Sequence, residues 1–288
     1  MSQRLRITAL AGLLCMFLLG RLAGITSSFG SLSSLIGRSG KLLAVFTLPG
    51  EVPNSDVPAQ TRRPGIYALD TLGPAAAALR WIVLMPFSAK VKGRIGGYRL
   101  GDRPYENRPA VDSAYASPRG FIEVTPDNFQ MRLSEHFALG QFVTKNQSSV
   151  WPKYVVLQSR LLDKLELTIA ELNREGYRVG GLFVMSGFRT PDYNEEGVGA
   201  GGRSAVSRHQ YGDAADVYPD DGGHGRMDDL NRDGRVDLKD ARILAHAAEM
   251  VEIAHPELVG GIGIYPATSA HGPFVHIDAR GRRARWGG

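Results

Sequence analysis

The chain has 288 residues, 43% hydrophobic and 22% charged, which accommodates one substantial domain with a smaller unit beside it and excludes a low-complexity protein. A single cysteine, Cys15, excludes an internal disulfide and a four-cysteine zinc site, so any metal must be held by His, Asp and Glu. The formal charge of +5 comes from scattered Lys and Arg, with no basic helix and no aromatic-interleaved basic strand, and so gives no footprint for nucleic acid.

Arg4 and Arg6 precede an apolar run over 7–19 that Gly20 and Arg21 close. A basic start followed by a run of this length reads as an export signal. It falls short of the roughly 20 apolar residues that a spanning helix needs, although extension through Ile25 would make a membrane anchor; residues 1–25 are therefore assigned as signal or anchor. Residues 26–82, rich in Ser, Gly, Pro and Ala, read as linker, and 83–130 as a small β segment with loose alternation over 90–100 and a short strand over 120–125.

The main domain is expected over 131–288. Leu161, Leu165, Ile169 and Leu172 share one face of a helix placed at 154–173, and Gly176 suits its left-handed end. Strands follow at 182–185 and 215–218, then a helix at 238–254 and two strands at 262–265 and 274–279. Helices and strands mix without regular alternation, so the fold class is α+β: a small antiparallel sheet with flanking helices. Arg280, Arg282, Arg283 and Arg285 form the one dense basic patch, read as a solvated tail that Trp286 folds back.

The chemistry lies in this last third. A strand has period two, so Phe274, His276 and Asp278 share one face while Val275 and Ile277 share the other, which puts His276 and Asp278 on the side of a cleft. Asp216 sits between Ala215 and Val217 on a neighbouring strand, and Gly212 supplies a turn that brings His209 back over it. Two imidazoles and a carboxylate make a three-ligand site, and a zinc site with three protein ligands keeps a position for water or substrate.

Ser207, His209, Gly212, Ala214 and Asp216 fill every fixed place of the S-x-H-x-x-G-x-A-x-D signature. With Ser186-Gly-Phe-Arg189 and the ending Val275-His-Ile-Asp-Ala-Arg-Gly281, the stretch 131–286 resembles the zinc D-alanyl-D-alanine peptidases. That superfamily takes in the vancomycin-resistance-type carboxypeptidases and dipeptidases, some phage endolysins and murein endopeptidases. The resemblance implies that His209, Asp216 and His276 bind Zn2+, that Arg189 holds substrate or transition-state charge, and that Ser207 lines the substrate pocket. It also implies a metallopeptidase acting on peptidoglycan stem peptides in the periplasm or cell envelope. Many relatives carry Glu or Asp three residues before the last histidine as general base, and another branch has His two residues before it. Here Pro273 and Phe274 stand at those places, which leaves Asp278 and His271 as candidates, with Asp278 favoured as catalytic and an orienting role for it equally open. The same departure admits a metal-containing wall-binding module without catalysis.

A second signal precedes the 238–254 helix. Asp229, Asn231, Asp233, Arg235 through its carbonyl, Asp237 and Asp240 match the 12-residue calcium loop, with Gly234 at its sharp turn. Asp at the last position resembles the loops of dockerin modules, and a structural Ca2+ within an insertion over 220–256 is the expectation, with a calcium-organised docking surface as an alternative.

Overall fold

The computed structural model describes residues 43–51, 63–68, 79–106, 112–199 and 202–288. The signal or anchor assigned to 1–25 lies outside them. The fold is α+β, as the mixed pattern implies. Among the described residues no helix is long and apolar enough to cross a membrane.

Part of the stretch read as linker is built structure. Ala44–Thr47 (β1), Gly65–Ala68 (β2) and Arg80–Val83 (β3) form a sheet of order β1-β3-β2. Trp81, Ile82 and Val83 are buried there, and the Trp81 indole donates to Thr47 Oγ1 at 2.7 Å. Short apolar runs flanked by Ser, Gly and Pro pair as strands here, because β-branched and aromatic residues suit a half-buried sheet.

The small β segment is present but fragmented. Met85–Pro86 (β4), Gly120–Val124 (β7) and Lys153–Val155 (β8) make one sheet, and Arg94–Ile95 (β5) pairs with Tyr98–Arg99 (β6) in a hairpin. β8 also shortens the first long helix to Ser159–Arg174 (α1). Tyr154 and Val155 pair with Glu123 and Ile122, so an aromatic and β-branched run becomes a strand where helical spacing alone extends the helix backwards. The far end follows the sequence: Gly176 has φ +94°, and the Tyr177 amide reaches back to the Leu172 carbonyl at 2.9 Å.

The site is carried by a five-stranded sheet of order β13-β11-β12-β10-β9: Phe183–Ser186 (β9), Ala214–Tyr218 (β10), Gly261–Tyr265 (β11), Phe274–Asp278 (β12) and Ala284–Gly287 (β13). All pairings are antiparallel except β11 with β13. Val275 and Ile277 join the apolar core with Leu161, Leu165 and Leu172 of α1 and Leu244 and Ala248 of Leu238–Ala254 (α3; Pro191–Glu195 is the short α2). The other face of β12 carries Phe274, His276 and Asp278.

Part of the basic ending is a strand, Ala284–Gly287, which carries Arg285, while Arg282 and Arg283 stay exposed. Arg285 binds Glu249 at 2.6 Å and Glu252 at 2.5 Å, and Trp286 packs over Gly263, where an added Cβ would lie 2.3 Å from the indole. Buried Lys164 of α1 completes this junction. Its ammonium donates to Glu252 and to the Asp278 carbonyl, each at 2.6 Å, while Glu252 also accepts from the Gly260 amide. One buried network thus ties α1, α3, β12 and β13. Loss of the ammonium leaves Glu252 with Arg285 and the Gly260 amide, so the cost falls below that of a fully stranded buried ion, to about 1–3 kcal/mol. Lys164→Met is expected to lower the unfolding free energy in urea by about that amount; an unmoved midpoint would show that the ammonium is dispensable.

Candidate metal centre

The signature segment folds as its residue types require. Ser207 opens a 3-10 turn over Arg208–Tyr211, and Gly212 ends it with φ 71°, in the left-handed region. A Cβ on Gly212 would lie 2.3 Å from the Val156 carbonyl oxygen, so both the turn and the close approach demand glycine. Ala214 and Ala215 are fully buried where the chain enters β10. Across the sheet Asp216 pairs directly with His276, and on its other side with Ser186 of β9.

His209, Asp216 and His276 converge. His209 Nε2 lies 3.2 Å from Asp216 Oδ1 and 3.1 Å from His276 Nδ1, and His276 Nδ1 lies 3.0 Å from Asp216 Oδ1. All three are buried. The outer nitrogens fix what the inner ones can do. His209 Nδ1 donates to the Gly187 carbonyl at 2.7 Å, and His276 Nε2 donates to Asp278 Oδ2 at 3.1 Å. Each neutral ring then turns a bare nitrogen toward the Asp216 oxygen. Three lone pairs meeting in a buried space repel unless a cation sits among them. Zinc ligands at about 2.0–2.1 Å and tetrahedral angles stand about 3.3 Å apart, close to the spacing here. Two imidazoles and a carboxylate suit that metal, and the second hydrogen bond on each ring is the usual orienting device.

The electrostatics agree with this division. Burial pushes the His209 ring down to about 4, against the pull of Asp216, so it is neutral and ready to ligate. Burial would raise the Asp216 carboxyl, but His209, His276 and Arg189 hold it well below the usual carboxylate range. Burial likewise disfavours a charged His276, and the hydrogen bonds to Asp216 and Asp278 outweigh it and raise that ring. A metal bound at these atoms would compete with protons for the ring nitrogens.

One site residue, Asp278, stands elsewhere than the sequence favours. Asp278 does not face the cleft: it is fully buried, Oδ1 accepts from the Gly261 amide at 2.8 Å, and the Arg280 guanidinium binds both oxygens at 2.5–3.0 Å. Burial would raise its carboxyl, yet His276 and Arg280 hold it far below the carboxylate range. Sealed in this way, Asp278 is placed to orient His276 and has no opening to the cleft through which to take a proton. Arg189 binds Asp216 Oδ2 at 2.5 Å and Ser186 Oγ at 2.9 Å, so its first task is to hold a ligand carboxylate, although it also lines the cleft. Ser207 lines the cleft, as its place in the signature implies.

The cleft above the trio has a volume of about 720 Å³, and among the described residues Asp216 is the only carboxylate in its lining. Lys145, Tyr193 and Arg203 contribute to one side, and His271, Phe274, Tyr265 and Trp286 to another. Most of these carried no sequence signal, since they come from loops and strand ends that no motif links.

The calcium-type loop keeps its turn, with Gly234 at φ 83° and Asp237 capping α3. Its side chains are spent on the backbone: Asp229 accepts from the Asp233 and Gly234 amides, Asn231 from the Asp233 amide, and Asp233 from the Arg235 amide. Buried Asp240 accepts from Leu230, Asn231 and Asp237. Among the described residues, the carboxylate and histidine groups close enough to share an ion are the trio, Glu135 with His136 and Glu166, and Asp220 with His224 and Asp228; the loop's carboxylates form no such group. His136 is held by buried Glu166 at 2.6 Å, consistent with support of the fold.

No protein-family model and no curated protein matches this chain.

The second hydrogen bond on His276 has a measurable consequence. Asp278→Asn replaces a charged acceptor by a neutral one and is expected to weaken zinc binding about 10- to 100-fold, read by competition with a chromogenic chelator. Affinity unchanged in that variant would remove Asp278 from the site.

Proposed function

We propose that this chain is a zinc-dependent peptidase that hydrolyses peptidoglycan stem peptides, as a D-Ala-D-Ala carboxypeptidase or a murein endopeptidase. The observation that carries this reading is the convergence of His209 Nε2, Asp216 Oδ1 and His276 Nδ1 beneath an open cleft, on residues that complete the peptidase signature. Bound to those three atoms, a divalent ion would supply Lewis acidity toward a peptide carbonyl. The chain's own residues do the rest. Gly187 and Asp278 fix the two imidazoles, and Arg189 fixes the carboxylate. Lys145 and Arg203, facing a cleft whose one carboxylate is committed to the trio, favour a ligand that bears free carboxylates, as stem peptides do. The basic start and apolar run of 1–25 support export to the envelope, where such peptides are found.

In sequence Asp229, Asn231, Asp233, the Arg235 carbonyl, Asp237 and Asp240 follow the calcium-loop pattern, and Ca2+ would draw together carboxylates that stand apart here and order the segment between β10 and α3. The second functional reading, a metal-containing wall-binding module without turnover, is favoured by Pro273 in the place of the usual acid and by the sealing of Asp278.

Purified protein incubated with sacculi is expected to release peptide fragments identifiable by mass, to stop when a chelator is added, and to fall to the chelated level in His209→Ala. Zinc content and sacculus binding without release would favour the module instead. Calcium at a hundredfold above its Kd is expected to stabilise the fold by about 2.7 kcal/mol, seen as a rise in Tm that Asp229→Ala abolishes. A Tm indifferent to calcium would remove that ion from the reading.

A further inference from the structure

A hydrolytic site needs a group that takes a proton from water and returns it to the leaving nitrogen. The cleft leaves few choices. Asp216, the only carboxylate lining it among the described residues, is held by His209, His276 and Arg189. Asp278 is sealed beneath His276 by Arg280. Lysine and arginine side chains and phenols carry their protons at neutral pH and are poor acceptors, whereas imidazole exchanges its proton there. Two of the three imidazoles that line the cleft are spent as ligands. The third is His271.

His271 is also built for the task. It heads the loop between β11 and β12, pinned by the Thr268 amide donating to its carbonyl at 2.8 Å. Its Nδ1 donates to the Gly272 carbonyl at 2.8 Å, which leaves Nε2 as the unprotonated nitrogen of the neutral ring. The ring sits edge-on to Phe274 at 4.9 Å, Phe274 stacks on Tyr265 at 4.6 Å, and the Tyr265 hydroxyl accepts from Trp286, which packs against His276 at 5.2 Å. A continuous aromatic wall thus runs from the ligand to the free imidazole and holds both against one side of the cleft.

We infer that His271 is the proton-carrying catalytic residue, filling from the loop the role that Pro273 cannot. This rests on the peptidase reading above. In the step, a water oxygen bonds to the peptide carbonyl carbon while His271 Nε2 takes its proton. The carbon–nitrogen bond then breaks, and the same proton passes to the departing nitrogen, giving a carboxylic acid and an amine.

The test compares wild type with His271→Ala and His271→Gln on purified muropeptides, measuring kcat, KM, zinc affinity by chelator competition, and the effect of added imidazole. A loss in kcat of at least about a hundredfold is expected, with KM and zinc affinity unchanged and turnover partly restored by imidazole in His271→Ala. Full turnover in both variants overturns the assignment, and so does a loss that tracks with loss of zinc, which would make His271 a structural residue. A wild type that releases nothing overturns the peptidase reading, and this assignment with it; a cleaving wild type beside unimpaired variants overturns this assignment alone.

Discussion

The register between β10 and β12 is the constraint on which the site depends. Asp216 lies directly opposite His276, so one carboxylate oxygen and one ring nitrogen meet across a single strand spacing. Side chains alternate along a strand, and a slip of one residue would send Val217 or Val275 to the metal side and the ligands into the apolar core. The helices guard against that slip. Val275 and Ile277 are fully buried in the core that α1 and α3 cover, so the packing that stabilises the domain also fixes which face the ligands take.

Charge buried this deeply is tolerated because it is shared out. Asp278 receives Arg280, His276 and the Gly261 amide; Glu252 receives Lys164, Arg285 and the Gly260 amide. Lys164 touches both clusters, through the Glu252 carboxylate and the Asp278 carbonyl. Unpaired ions in such surroundings would cost several kcal/mol each. The network therefore locks His276 from behind while its front edge stays available to a ligand.

How much of this the sequence revealed varies with the kind of signal. The trio was legible because two features coincided: period-two alternation around His276, and a turn whose glycine and alanines have no freedom to be anything else. The helix at 238–254 and the strand near 274 were legible from apolar spacing. The sheet at 44–83 was not, because runs of four residues between Pro- and Gly-rich stretches look the same whether they pair or not. β13 was hidden by Arg285, which reads as solvent-facing until its partners Glu249 and Glu252 on a distant helix are known. Asp278 shows the limit of face arguments: it shares a face with His276, but Arg280, two residues on, covers it.

The order of the ligands along the chain matters during synthesis. His209 and Asp216 emerge together, whereas His276 follows sixty residues after Asp216, and Trp286, which braces it, comes later still. A growing chain would consequently offer only two of the three donors until the closing strand is made. On the proposed reading a metal would be held only once this sheet is complete, and a prematurely ended polypeptide would lack the third donor along with the wall that shields it.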